Sequence, residues 1–139
     1  MEKPFEIIDH TADIGVRARG RDLPEVMQRA AQGMFHVILG GAEVRPVEEE
    51  VIEVEGDDAV DLMVRWLGEL LFRFDARKRV YGEFRVEMPS PNKLRARVRG
   101  ERLDLARHQP QMEIKAVTYC GARVEQRGEA WFAEVVFDI

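Results

Sequence analysis

From residue 83 to Ile139 the chain alternates apolar and polar side chains with period two, and turn residues interrupt it at short intervals. The spacing predicts strands over 83–88, 93–100, 112–119, 121–127 and 130–138. Gly82 precedes this series, and "SPN" at 90–92, Gly121 and "RG" at 127–128 mark turns within it. Strands so closely spaced pair as hairpins, so the sheet is expected to be largely antiparallel. Three earlier runs, 5–8, 14–20 and 51–55, share the alternating pattern.

Two segments break the alternation with helical periodicity. "DLPEVMQRAAQGMFHVIL" opens on Asp22 as N-cap, has Pro24 in its first turn and ends at Gly40-Gly41. Val26, Met27, Ala30, Ala31, Met34, Phe35 and Ile38 give it one broad apolar face. "DDAVDLMVRWLGELLFRFDARK" is capped by Asp57 or Asp58, is acidic at its start and basic at its end, and is apolar enough to be nearly buried. The expected fold is therefore α+β: a single domain over residues 1–139, with a largely antiparallel β-sheet and two main α-helices packed on it.

Composition narrows the function classes. No apolar run approaches the ~20 residues that span a bilayer, and the first residues contain no signal-peptide core, so a cytoplasmic location is expected. The single cysteine, Cys120, excludes an internal disulfide and a thiolate-rich zinc site. Any metal would be held mainly by oxygen. The net charge of −5 weighs against nucleic acid as the main direct partner, but it is unevenly spread: residues 48–61 are acidic and 93–107 basic. Nucleotide-binding glycine loops, HExxH and GxSxG are absent. Cys120 and His108 would make a nucleophilic pair only if the fold joined them.

Three places could carry chemistry. The first is the junction at residues 9–13, where Asp9, His10, Thr11 and Asp13 crowd together between two strands. Local capping of backbone amides explains them, and so does a metal or catalytic site if distant partners join them. The second is the end of the last strand, "WFAEVVFDI". Here Asp138 is followed at once by the α-carboxylate of Ile139. With Asp13, these groups would make an oxygen-rich corner suited to Ca²⁺, Mg²⁺ or Mn²⁺. The third comprises Lys115 in "MEIKAVTY" and Glu69 in "WLGELLF", two charges set among apolar residues. Each is either a functional group or a surface side chain.

Lys93, Arg95, Arg97 and Arg99 share one strand face, and Arg17, Arg19 and Arg21 repeat the pattern. Neighbouring strands would join them into an arginine-covered sheet, a docking surface for RNA phosphates or an acidic protein. The alternative is a face neutralised by Glu83, Glu87 and Glu101.

"DHTADIGV", "LPEVMQRAAQGMF", "WLGELLF", "GERLDLARH", "EIKAVTY" and the terminal "FDI" occur in an order that resembles the archease family over nearly the whole chain. The resemblance implies a non-enzymatic activator of the GTP-dependent RtcB-type RNA ligase of tRNA splicing and RNA repair. Such a protein promotes the ligase–GMP intermediate and multiple turnover. It implies a divalent cation, Ca²⁺ in its usual form, held by Asp13, Asp138 and Ile139. Lys115 and Glu69 would act on the ligase, with Asp9 and His10 beside them. Gly68 stands where the family usually has Asn, and Cys120 where His is common, a position whose role is expected to be peripheral. The alternative is an RNA-binding or chaperone-like modulator working through the arginine face.

Overall fold

The computed structural model describes residues 4–9 and 13–139, with Asp9 described through its backbone. Elements follow in the order β1 (Phe5–Asp9), β2 (Asp13–Gly20), α1 (Leu23–Leu39), β3 (Glu48–Glu55), α2 (Ala59–Arg77), β4 (Arg79–Ser90), β5 (Lys93–Arg102), α3 (Leu105–His108), β6 (Ala116–Arg127) and β7 (Ala130–Asp138). Both long helices start where the caps predict. The Asp22 carboxylate accepts the Glu25 N–H at 2.9 Å, and Asp58 accepts the Asp61 N–H at 2.8 Å. Gly40, at φ 62°, ends α1 in the left-handed conformation that favours glycine.

The strands are antiparallel throughout, but they form two sheets rather than one. A four-stranded sheet has the order β1-β2-β7-β6, and a three-stranded sheet the order β3-β5-β4. Both helices touch both sheets. Burial of α1 nearly all round follows from this position: Phe35 sets its ring 5.9 Å from those of Tyr81 and Phe84, and the Gln28 side-chain Oε1 accepts the Val86 N–H from β4. On its other side Gly33 lets α1 approach β2 so closely that a Cβ there would lie 2.5 Å from Val16 Cγ1. The Trp66 indole N–H donates to the Met27 carbonyl at 3.0 Å and ties α2 to α1.

Two expectations are corrected. The strand predicted over 112–119 and its neighbour at 121–127 are one strand, β6, which begins at Ala116. Gly121, at φ 78°, serves a bulge and not a hairpin: Thr118 pairs with Val136 and Arg123 with Glu134, so residues 119–122 stand opposite the single Val135. The short helix α3 has no periodicity long enough to announce itself, and Asp104 caps it through the Ala106 N–H.

Candidate functional site

The ends of three strands meet at one edge of the four-stranded sheet. Asp13 opens β2 and pairs in register with Asp138, which closes β7, while Ala116 opens β6 on Asp138's other side. The preceding residue, Lys115, donates its backbone N–H to the Asp138 carbonyl at 2.8 Å. Directly opposed residues of antiparallel strands project to the same face, with Cβ atoms roughly 4.5–5.5 Å apart. The sequence separation of 125 between Asp13 and Asp138 thus closes into one carboxylate pair.

That pair is unfavourable as it stands, because like charges directly opposed in a ladder repel. Asp13 Oδ1 is buried and has no hydrogen-bond partner among the described residues. A buried carboxylate oxygen ordinarily has a donor or a cation beside it. Asp138 and Lys115 expose their side chains, and Ile139 is partly buried against the core. The donor set is all oxygen, which suits a hard divalent cation. Among the described residues no group of three His, Cys, Asp or Glu side chains could hold a metal.

The other expected site residues separate. Glu69 accepts from Arg73 at 2.7 Å, and Arg73 also binds Glu50 at 2.7 Å, so Glu69 belongs to an ion-pair chain between α2 and β3. Among the described residues no hydrogen bond or ion pair joins it to the carboxylate pair. Asp9 pairs through its backbone with Ile14, and His10 lies outside the described residues. Cys120 is exposed in the bulge, whereas His108 is fully buried on Glu101, so they form no nucleophilic pair.

The single arginine surface also divides. β5 and β2 lie in different sheets. On β5, Arg99 faces Glu49 and Glu83, and Arg95 faces Glu53 and Glu87. The acidic and basic stretches of the sequence are therefore neighbouring strands that neutralise each other, with Arg99 3.1 Å from Glu49 and Arg95 3.9 Å from Glu53. Glu101, expected on that face, turns inward instead. It accepts from Arg107, from the Arg45 N–H at 2.7 Å and from His108 Nε2 at 3.0 Å. The Arg107 bond, more than any other contact, holds its carboxyl down at about 2.

Two groups escaped the sequence reading. One is this Glu101–Arg107–His108 cluster. The other is what β6 and β7 add to the Arg17 and Arg19 face on the outer side of the four-stranded sheet, where Arg17 and Arg123 share Glu134 at 2.5 and 3.2 Å and Arg19 and Arg127 lie over the Phe132 ring. The guanidinium of Arg17 is the main cause of the lowered Glu134 pKa. Alternation of Arg123, Glu125 and Arg127 in β6 was the available signal.

The model of the Archease protein family matches residues 5–139. This chain belongs to the archease family. A protein archease of Pyrococcus abyssi is 37% identical over 141 residues, covering 99% of each chain. The solution structure of Methanobacterium thermoautotrophicum protein 1598 superposes with a TM-score of 0.81 at 31% identity, covering 98% of this chain and 99% of that one. A Thermotoga maritima crystal structure, described as an archease and possible chaperone, shares the fold with a TM-score of 0.67 at 24% identity and covers 100% and 98% of the two chains. Among the described residues no helix is long and apolar enough to cross a membrane.

Proposed function

We propose that this protein is a non-enzymatic activator of a GTP-dependent RtcB-type RNA ligase in tRNA splicing and RNA repair, acting in the cytoplasm through the carboxylate corner at the ends of β2 and β7. The observation that carries this reading is the in-register opposition of Asp13 and Asp138, with Asp13 Oδ1 buried and unpartnered among the described residues. Asp13, Asp138 and the Ile139 carboxylate would hold one divalent cation, Ca²⁺ by preference, with Mn²⁺ or Mg²⁺ as substitutes. When bound, such an ion supplies neutralisation of the corner and a Lewis-acidic contact for phosphate or carboxylate oxygens.

The chain's own contribution is placement. Asp13 and Asp138 sit on the two central strands of the sheet, so the ladder fixes both backbones. The Lys115 N–H fixes the Asp138 carbonyl and brings an exposed lysine to the same end of the sheet. A corner held this way can enter a partner's cleft and orient groups there with little loss of freedom on binding, which favours ligase guanylylation and turnover. Glu69 supports the reading only through α2, as a brace for Arg73.

The test is single-turnover formation of ligase–GMP with Mn²⁺ and GTP in the presence of wild-type protein, Asp13→Ala or Asp138→Ala. Both variants should keep the wild-type circular dichroism spectrum and lose stimulation. Normal stimulation by both would remove the corner from the mechanism.

A further inference from the structure

The outer face of the four-stranded sheet carries a groove of about 340 Å³ whose sides are Arg17, Arg19, Arg123 and Arg127 and whose floor includes Phe132 and Glu134. We infer that this groove binds a short stretch of single-stranded RNA, with a base stacked at Phe132 and successive phosphates on the flanking guanidiniums. The inference is independent of the carboxylate corner. Phe132 and Asp138 are six residues apart on β7, roughly 20 Å along an extended strand.

Charge is the first argument. The whole chain is −5, yet four arginines line this groove, with Glu6, Glu125 and Glu134 among them. Glu134 is shared by two guanidiniums, and Arg127 pairs with Glu125. The carboxylates hold the guanidiniums in place, while the side chains of Arg17, Arg123 and Arg127 remain 53%, 55% and 61% exposed. A guanidinium with exposed N–H groups is the side chain best matched to phosphate oxygens.

Geometry is the second. Arg17 and Arg19 are two residues apart on β2 and Arg123 and Arg127 four apart on β6, steps of roughly 7 and 13 Å. The two pairs are separated by one intervening strand, β7, so they stand roughly 10 Å apart across the sheet. Such a grid offers cations at successive phosphates of an extended strand; a free mononucleotide would engage only part of it. The Phe132 ring lies 5.6 and 5.0 Å from the Arg19 and Arg127 guanidinium carbons, so a base meets either the ring or a guanidinium plane. The groove is lined by Arg, Glu, Ala and Phe. Recognition by stacking and charge makes binding tolerant of base sequence.

The test uses the intact protein without ligase and a fluorescein-labelled decauridylate, followed by anisotropy at several salt concentrations. Engagement of two or three phosphates gives a log–log salt slope of about −1.4 to −2.1. The Arg123→Glu/Arg127→Glu pair should weaken binding at least tenfold at low salt. Phe132→Leu, which keeps an apolar side chain in the sheet, should weaken it severalfold, and Asp138→Ala should leave it unchanged. Thermal midpoints check that each variant is folded. No binding, a flat salt dependence, or equal affinity in the arginine variant overturns the inference. So does UMP competing as well as unlabelled decauridylate, which makes the groove a mononucleotide pocket. Poly-glutamate competing better than RNA also overturns it, making the face a site for acidic protein.

Discussion

Removing the Glu101 carboxylate tests whether the "GERLDLARH" segment is a structural latch. His108 is fully buried, and its Nδ1 accepts the Asp104 N–H at 2.8 Å, so Nε2 bears the hydrogen that reaches Glu101 at 3.0 Å. Glu101→Ala leaves that N–H and the Arg45 N–H without an acceptor and strips Arg107 of its partner. At about 1–3 kcal/mol for the donor stranded on fully buried His108, with a smaller addition from the part-buried Arg45 N–H, the two N–H groups imply about 3 kcal/mol. That is also the range for breaking one side of a buried pair. In urea denaturation the free energy should fall by about 3 kcal/mol, and in calorimetry the midpoint by about 10 °C. Glu53→Ala, which removes an exposed partner 3.9 Å from Arg95, is the control and should cost under about 1 kcal/mol. The Glu101 carboxyl is lowered from its ordinary 4.5 to about 2, so its contribution is complete above pH 4.5 and disappears as pH falls from there toward 2. The gap between wild type and Glu101→Ala should therefore stay constant from pH 8 to about 5 and then close. A Glu101→Ala variant no less stable than Glu53→Ala, or a gap that widens in acid, would refute the latch.

Other outcomes follow from packing and charge. Gly33→Ala should lower the thermal midpoint, because the gain of about 1 kcal/mol in helix propensity is outweighed by the Val16 clash at 2.5 Å. Gly68→Ala, with nothing within 4 Å of its Cβ, should raise stability by up to about 1 kcal/mol. Calorimetry of the two variants should give opposite signs. Asp138→Asn should stabilise the cation-free protein by about 0.2–1 kcal/mol, since it ends the repulsion across the β2–β7 ladder. Wild type in Ca²⁺ at a hundred times its dissociation constant should gain about 2.7 kcal/mol, and the variant should not respond. A variant destabilised without cation, or responding to Ca²⁺ as wild type does, would contradict the carboxylate corner.

The helices were legible because their signals are local. Asp22, Asp58 and Gly40 each act within a few residues of where they stand, and the structure uses all three as caps. Sheet membership was not legible, because alternation specifies a face and leaves the neighbour open. The arginines of β2 and β5 share a pattern and lie in different sheets. Parity also fails where a strand is irregular. Glu101 reads as an outward residue with Arg95, Arg97 and Arg99, but both Gly100 and Glu101 are buried. Gly100 is where β5 meets β4 so closely that a Cβ would lie 1.8 Å from the Val80 carbonyl oxygen, beside a shift in register. Asp13 and Asp138 were legible as single residues. Their adjacency depends on β2 pairing with the last strand, which only the fold supplies. Lys115 reaches the corner through a backbone bond that no side-chain pattern encodes.

The most direct measurement is ligation of RNA ends by the cognate ligase with Mn²⁺ and GTP, using this protein at one-tenth of the ligase concentration. Joined product should exceed one equivalent per ligase with the wild type and with Arg95→Ala/Arg97→Ala, and should stall near one equivalent with Asp138→Ala. Product that stays near one equivalent with wild-type protein, or continues to accumulate with Asp138→Ala, would contradict an activator working through the paired carboxylates at the ends of β2 and β7.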